Sequence, residues 1–169
     1  MSTARPEIRV RHAVPSDAAP LCEILNAIIR IGGTTALEVP LSLAEFSGYF
    51  LEGERFLSCF VAEDSLTSRP LGFQGLSRHP KLPEDWADIG TFARSEPKTA
   101  GVGTALFTQT KAWAGGRDLA TINAAIRADN HGGLAYYEKM GFRKYQFAKG
   151  VPLRDGTPVD RILKCYVVR

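Results

Sequence analysis

Two glycines raise the first chemical question in this sequence. In Lys98-Thr99-Ala100-Gly101-Val102-Gly103-Thr104-Ala105-Leu106-Phe107, Gly101 and Gly103 fall where a loop turns into a helix. Without a Cβ, backbone amides can approach a ligand closely, and the free N–H groups plus the helix dipole favour an anion. A phosphate or pyrophosphate suits such a cradle, with Lys98 adding charge at its rim. Two familiar phosphate motifs fail on particular residues. A P-loop needs Lys and then Ser or Thr after its last glycine, but Gly103 is followed by Thr104-Ala105, and the next lysine is Lys111. A dinucleotide fingerprint needs a third glycine where Leu106 stands. The second informative stretch is Asn130-His131-Gly132-Gly133-Leu134-Ala135-Tyr136-Tyr137-Glu138-Lys139-Met140-Gly141-Phe142. Its adjacent tyrosines are expected to divide, one facing the core and one a cleft.

Other chemistries find little support. His12, His79 and His131 are isolated from one another, and no pair of Cys22, Cys59 and Cys165 has metal-ligand spacing. No metal is expected, and the odd, scattered cysteines read as reduced residues in or near the core. Lys plus Arg minus Asp plus Glu is 21 − 18 = +3, too small and too dispersed for a nucleic-acid surface. No apolar run reaches the length of a membrane span, and the start, Met1-Ser2-Thr3-Ala4-Arg5-Pro6, lacks the apolar stretch of a secretory signal. A cytoplasmic chain is the expectation. With 169 residues, 44% of them hydrophobic, one domain over 7–169 behind a short tail at 1–6 is expected.

The elements that must hold these residues follow from periodicity. Residues 7–12 alternate and predict a strand, after which Ser16 offers an N-cap. Leu21, Ile24, Leu25, Ile28 and Ile29 follow at helical spacing until Gly32-Gly33. Ser42 with Glu45 forms a capping box for a short helix bearing Phe46 and Phe50. Strands are predicted at 56–63, 71–78 and 86–93, a helix at 101–114, a strand at 119–126 and a short helix at 133–140. Two final strands, 142–151 and 159–168, flank the turn Arg154-Asp155-Gly156-Thr157. Three consecutive strands argue for antiparallel pairing, and the strand–helix–strand unit over 86–126 requires one parallel pair. The fold class is α/β (α+β): one domain with a mixed, mostly antiparallel twisted sheet and helices on both faces.

Taken together, the two stretches resemble the acyl-CoA binding core of the GNAT superfamily of N-acetyltransferases. The first resembles its Gln/Arg-x-x-Gly-x-Gly/Ala pyrophosphate loop, with Lys98 at the Gln/Arg position. The second resembles its Asn-x-x-Ala-x-x-Leu-Tyr-Glu-Lys-Leu-Gly-Phe element. The strand order is similar as well. The loop Thr34-Thr35-Ala36-Leu37-Glu38-Val39-Pro40-Leu41-Ser42 further resembles the branch that acetylates phosphinothricin and related amino acids, although Leu37-Glu38 stands where an aromatic-Arg pair is usual.

The resemblance implies direct transfer of acetyl from acetyl-CoA, as co-substrate, to the primary amine of a small molecule such as an amino acid or analogue. It implies that Thr99, Ala100, Gly101, Val102, Gly103 and Thr104 cradle the pyrophosphate with Lys98 beside them. The backbone of Thr91, Phe92 and Ala93 pairs with the pantetheine arm, and Asn130 bonds that arm from the other side. Tyr137 takes the place of the general acid, since a phenol is protonated at neutral pH and can hand its proton to a leaving thiolate. Asp88 and Glu38 are the two candidates for the base. A protein or polyamine acceptor and a non-catalytic acyl-CoA sensor are the alternative functions, and members of the branch commonly form homodimers.

Overall fold

The computed structural model describes residues 4–169; of the expected tail, Met1, Ser2 and Thr3 lie outside the described residues. Chain order is β1 (Ile8–His12), α1 (Ala18–Ile31), α2 (Leu43–Phe50), β2 (Phe56–Asp64), β3 (Pro70–Ser77), β4 (Trp86–Ala93), α3 (Val102–Gly115), β5 (Thr121–Arg127), α4 (His131–Lys139), β6 (Arg143–Pro152) and β7 (Pro158–Val167). Element types and order are those expected from periodicity, with boundaries displaced by at most two residues. The strands form one seven-stranded sheet in the order β1-β2-β3-β4-β5-β7-β6. Every neighbouring pair is antiparallel except β4 and β5, which α3 joins by a crossover.

Alternation along the strands assigns each side chain to a face. Cys59, Val61, Phe73 and Phe92 pack against α1 and α2 through Leu21, Leu25 and Phe46. On the opposite face Phe60, Ala62 and Leu71 meet Val102 and Leu106 of α3. Beside them Leu76, Ile89, Ile122 and Ala124 meet Phe107, Tyr137 and Phe142. Burying a side chain such as Phe73 or Leu106 contributes about 1.5–3 kcal/mol, so the sheet is clamped from both sides.

Two helix starts differ in how they are built. Ser42 accepts from Glu45 N at 3.1 Å while Glu45 Oε1 accepts from Ser42 N at 3.2 Å, the expected capping box. Ser16, expected to cap α1, instead lies inside a 3₁₀ turn at Pro15–Asp17, and Asp17 holds the N-cap position. The reason is electrostatic. Asp17 accepts from Val14 N at 2.7 Å and from two nitrogens of Arg11 at 2.8 Å, which ties the helix entry to β1. Those bonds, led by Arg11, hold its carboxyl below the usual range.

Asn26 on α1 fastens the loop between α1 and α2. Its side chain accepts from Leu41 N at 2.8 Å and donates to Leu41 O at 2.9 Å. The loop is thereby anchored beside the opening between β4 and β5. Among the described residues no helix is long and apolar enough to cross a membrane.

Candidate active site

β4 and β5 pair only over Trp86, Ala87 and Asp88 against Thr121, Ile122 and Asn123. Beyond Asp88, β4 stays with β3 and β5 stays with β7, so the two parallel strands part. The edge of β4 from Ile89 to Ala93 has no strand partner on that side. A cleft of about 860 Å³ fills the opening, lined by Thr91, Phe92, Ala93, residues 98–104, Asn130 and both tyrosines. The structure thus gathers around one cavity the residues that two separate stretches suggested.

The α3 end of the cleft can hold an anion. Ala105 N donates to Gly101 O at 3.0 Å, and the amides of Val102, Gly103 and Thr104, ahead of it, have no intrahelical acceptor. Gly101 is needed for its left-handed conformation, with φ +89°. Gly103 is glycine for a different reason than ligand approach alone. A Cβ there would lie 2.5 Å from the Tyr136 ring. Lys98 is exposed at the rim, where Arg94 also lines the cleft. Donors without partners, a helix N-terminus and two cations fit a pyrophosphate.

The two tyrosines do not divide as expected. Both rings pack in or against the apolar cluster under the sheet, and both residues line the cleft. Adjacent side chains on a short helix are about 100° apart, which lets both lean toward the same strand pair. Tyr137 Oη lies 2.8 Å from Thr91 Oγ1. Tyr136 Oη donates to Gly103 O at 2.7 Å and accepts from Gln74 Nε2 at 3.1 Å. Burial pushes the Tyr136 phenol up to about 12 and drives that of Tyr137 higher still, so both hydroxyls carry their protons at neutral pH.

Of the two carboxylates, only Asp88 lines the cleft. It accepts from Asn123 Nδ2 at 2.9 Å, and Asn123 accepts in turn from Tyr145 Oη. Burial raises the Asp88 pKa, opposed by the Asn123 hydrogen bond and by His79. Glu38 is placed elsewhere: it accepts from Arg154 N, at 2.9 and 3.1 Å, at the β6–β7 turn. Asn130 lines the cleft with its side chain already engaged. It caps α4 by accepting from Gly133 N at 2.9 Å and donates to Thr34 O at 2.9 Å. A Cβ on residue 133 would sit 2.5 Å from Asn130 Nδ2, which accounts for glycine where the resembling pattern carries Ala.

Residues singled out by neither stretch also enter the site. Gln74, fully buried on β3, donates to Thr91 Oγ1 at 2.8 Å as well as to Tyr136. Its signal was an amide in the otherwise apolar run Leu71-Gly72-Phe73-Gln74-Gly75-Leu76, where burial demands partners. Arg127 and Arg161, register partners on β5 and β7, line the far wall; Arg127 pairs with Asp129 at 2.8 Å. Asp160 turns away and accepts from Gly150 N. Among the described residues no cluster of His, Cys, Asp and Glu could hold a metal.

Comparison with known proteins agrees with this fold. No curated protein sequence matches the chain. Solved structures similar to it include an N-acetyltransferase from Staphylococcus aureus Mu50, with TM-score 0.83, 17% identity, and coverage of 96% of this chain and 99% of that one. A ribosomal-protein-alanine N-acetyltransferase from Brucella melitensis has TM-score 0.81 and 18% identity over 94% and 99% of the chains. A GNAT superfamily phosphinothricin acetyltransferase from Sinorhizobium meliloti, in complex with AcCoA, has TM-score 0.79 and 21% identity over 95% and 88%. At these identities the likeness is one of fold. The sequence model of the acetyltransferase (GNAT) family matches residues 29–142, two thirds of the chain and the whole of the β4–α3–β5–α4 site, and the protein belongs to that family.

Proposed function

We propose that this protein transfers the acetyl group of acetyl-CoA to the primary amine of a small molecule, an amino acid or analogue. The observation that carries the reading is the parting of β4 from β5 into a cleft that is also lined by the free amides at the start of α3. When bound, acetyl-CoA supplies an activated thioester. The amides of Val102, Gly103 and Thr104 bind its pyrophosphate, and the unpaired edge of β4 from Thr91 to Ala93 binds its extended arm as an added strand would. An amide on that edge polarises the thioester carbonyl, worth a few kcal/mol in a dry site.

Asp88 accepts the proton of the incoming ammonium. Its environment suits the task, because burial raises its basicity while Asn123 keeps the carboxylate oriented. Tyr137 donates the proton that the departing sulfur needs. Support for its role is its place in the cleft lining, with its hydroxyl beside Thr91 and protonated at working pH.

An α-amino acid is favoured by the charges that line the cavity. Asp88 suits the amine, and Arg161, which has no ion pair among the described residues, suits a carboxylate. Ile28, Leu37, Tyr49 and Phe50 add an apolar wall for the side chain. Three free thiols accord with a reducing cytoplasm, and the exposed Tyr145 and Phe147 on β6 offer a surface for a homodimer.

The test is thiol release from acetyl-CoA against phosphinothricin, methionine sulfone, free amino acids and polyamines. Turnover of amino acids or their analogues is expected. Turnover of polyamines alone would reject the amino-acid reading, and CoA binding without turnover of any amine would mark a sensor. Sedimentation of the purified protein reports the dimer.

A further inference from the structure

Hydrogen bonds run without a break from the anion cradle to Tyr137. Gly103 O accepts from Tyr136 Oη at 2.7 Å, and Tyr136 Oη accepts from Gln74 Nε2 at 3.1 Å. The same Gln74 nitrogen donates to Thr91 Oγ1 at 2.8 Å, which lies 2.8 Å from Tyr137 Oη. Four elements contribute: α3, α4, β3 and β4.

The inventory of donors and acceptors fixes the direction of this chain from Gly103 as far as Thr91. A carbonyl only accepts, so the one proton of Tyr136 goes to Gly103 O. Tyr136 Oη can then only accept from Gln74, which makes the nitrogen the amide atom that faces it. A reversed amide would set Gln74 Oε1 against an oxygen with no proton between them, and would bury both N–H bonds without partners. The second N–H of Gln74 therefore occupies a lone pair of Thr91. Thr91 keeps one proton and one lone pair, and Tyr137 Oη, 2.8 Å away, is an acceptor for that proton; either hydroxyl of the pair can donate. With one Thr91 lone pair taken by Gln74, the arrangement in which Thr91 donates leaves the Tyr137 proton free for the cleft that Tyr137 lines.

Gln74 carries a second mark of a purpose other than packing. It is fully buried, and its Oε1 has no partner among the described residues. An apolar side chain of the same size would avoid that penalty.

We infer that Gln74, held in one orientation by Tyr136, is a positioning residue that turns the Tyr137 phenol proton away from Thr91 and toward the sulfur of bound CoA. The inference rests on the proposed role of Tyr137 as the acid. In the step, the C–S bond breaks with its electron pair staying on sulfur, and the proton passes from Tyr137 Oη to that sulfur. The phenolate left behind keeps the hydrogen bond from Thr91 and regains a proton from water.

The experiment needs no acceptor amine. Calorimetry compares the affinities of CoA and desulfo-CoA between about pH 7 and 10, across the range in which a thiol ionises. In the native protein the ratio of the two affinities is expected to climb with pH, because the Tyr137 proton bonds the thiolate. Tyr137→Phe should abolish the climb. Gln74→Met should cut the ratio at high pH by about threefold to tenfold, the worth of a hydrogen bond to a charged group, while leaving desulfo-CoA affinity intact. It should have no further effect in a Tyr137→Phe background. Tyr136→Phe, which frees the same amide, should lower the ratio in the same direction and guards against a misfolded Gln74 variant.

A wild-type ratio in both Gln74→Met and Tyr136→Phe, with the climb lost only in Tyr137→Phe, overturns the inference and spares the acid. Equal losses for CoA and desulfo-CoA in Gln74→Met reduce Gln74 to a structural residue and overturn it too. An undiminished climb in Tyr137→Phe rejects the acid itself, and this inference with it.

Discussion

The ring of Tyr136 occupies the place a β-carbon on Gly103 would take, 2.5 Å away, while its hydroxyl donates to the carbonyl of that same glycine at 2.7 Å. α4 is thus keyed into the first turn of α3, and the amides that face the cleft are held at a fixed height above the sheet. Gly103→Ala forces the ring or the helix to move. A loss of about 1–3 kcal/mol in stability is expected from the overpacking, together with weaker CoA binding. Replacing Tyr136 by Leu in the same chain should restore part of the stability. Thermal melts and CoA calorimetry on the single and double variants check this.

Tyr137→Phe keeps the ring in the apolar cluster and deletes the proton donor. kcat is expected to fall by roughly a hundredfold or more, with little change in acetyl-CoA affinity. Rapid-quench measurement of the chemical step is the check; an unchanged rate there removes Tyr137 from the mechanism.

Asp88 links activity to stability. Burial raises its pKa, so the ionised form is the one the fold disfavours. Stability from this group is full below the unfolded carboxylate pKa near 3.9 and declines as pH rises through the raised folded value. Asp88→Asn is therefore expected to raise Tm at neutral pH and to lose that advantage in acid. The same variant should lose the acidic limb of the pH–rate profile along with most of kcat. Melting curves at paired pH values, set beside the rate profile, test both halves.

Glu38→Gln should behave differently, because Glu38 bonds the Arg154 amide rather than facing the cleft. The expected change is in KM for the amine, through a loosened contact between the loop and the β6–β7 turn, with the acidic limb retained. A vanished limb would transfer the base to Glu38.

Much of this was legible in the linear chain because it depends on short-range physics. The capping box at Ser42, the left-handed glycines at positions 32, 101 and 141, and the alternating strands are each decided within a few residues. Hence the order of elements and the parallel crossover could be read from spacing, while the resemblance to a known family implied that the two stretches share one site. The cap of α1 could not, because Arg11 on β1 recruits Asp17 and displaces the expected Ser16.

Tertiary structure alone decided which polar groups meet. Gln74 and Tyr136 are 62 positions apart, and Glu38 and Arg154 are 116 apart. No local period relates such pairs. Packing of α3 and α4 on the sheet brings both tyrosines into the lining of one cleft, linked through Gln74 and Thr91, whereas adjacency in sequence suggested they would part. It also separates the two carboxylates, leaving Asp88 half-buried in the cleft and Glu38 on the surface. The reason is that backbone preferences act over neighbours, while the partner of a buried proton is fixed only when distant elements close around it.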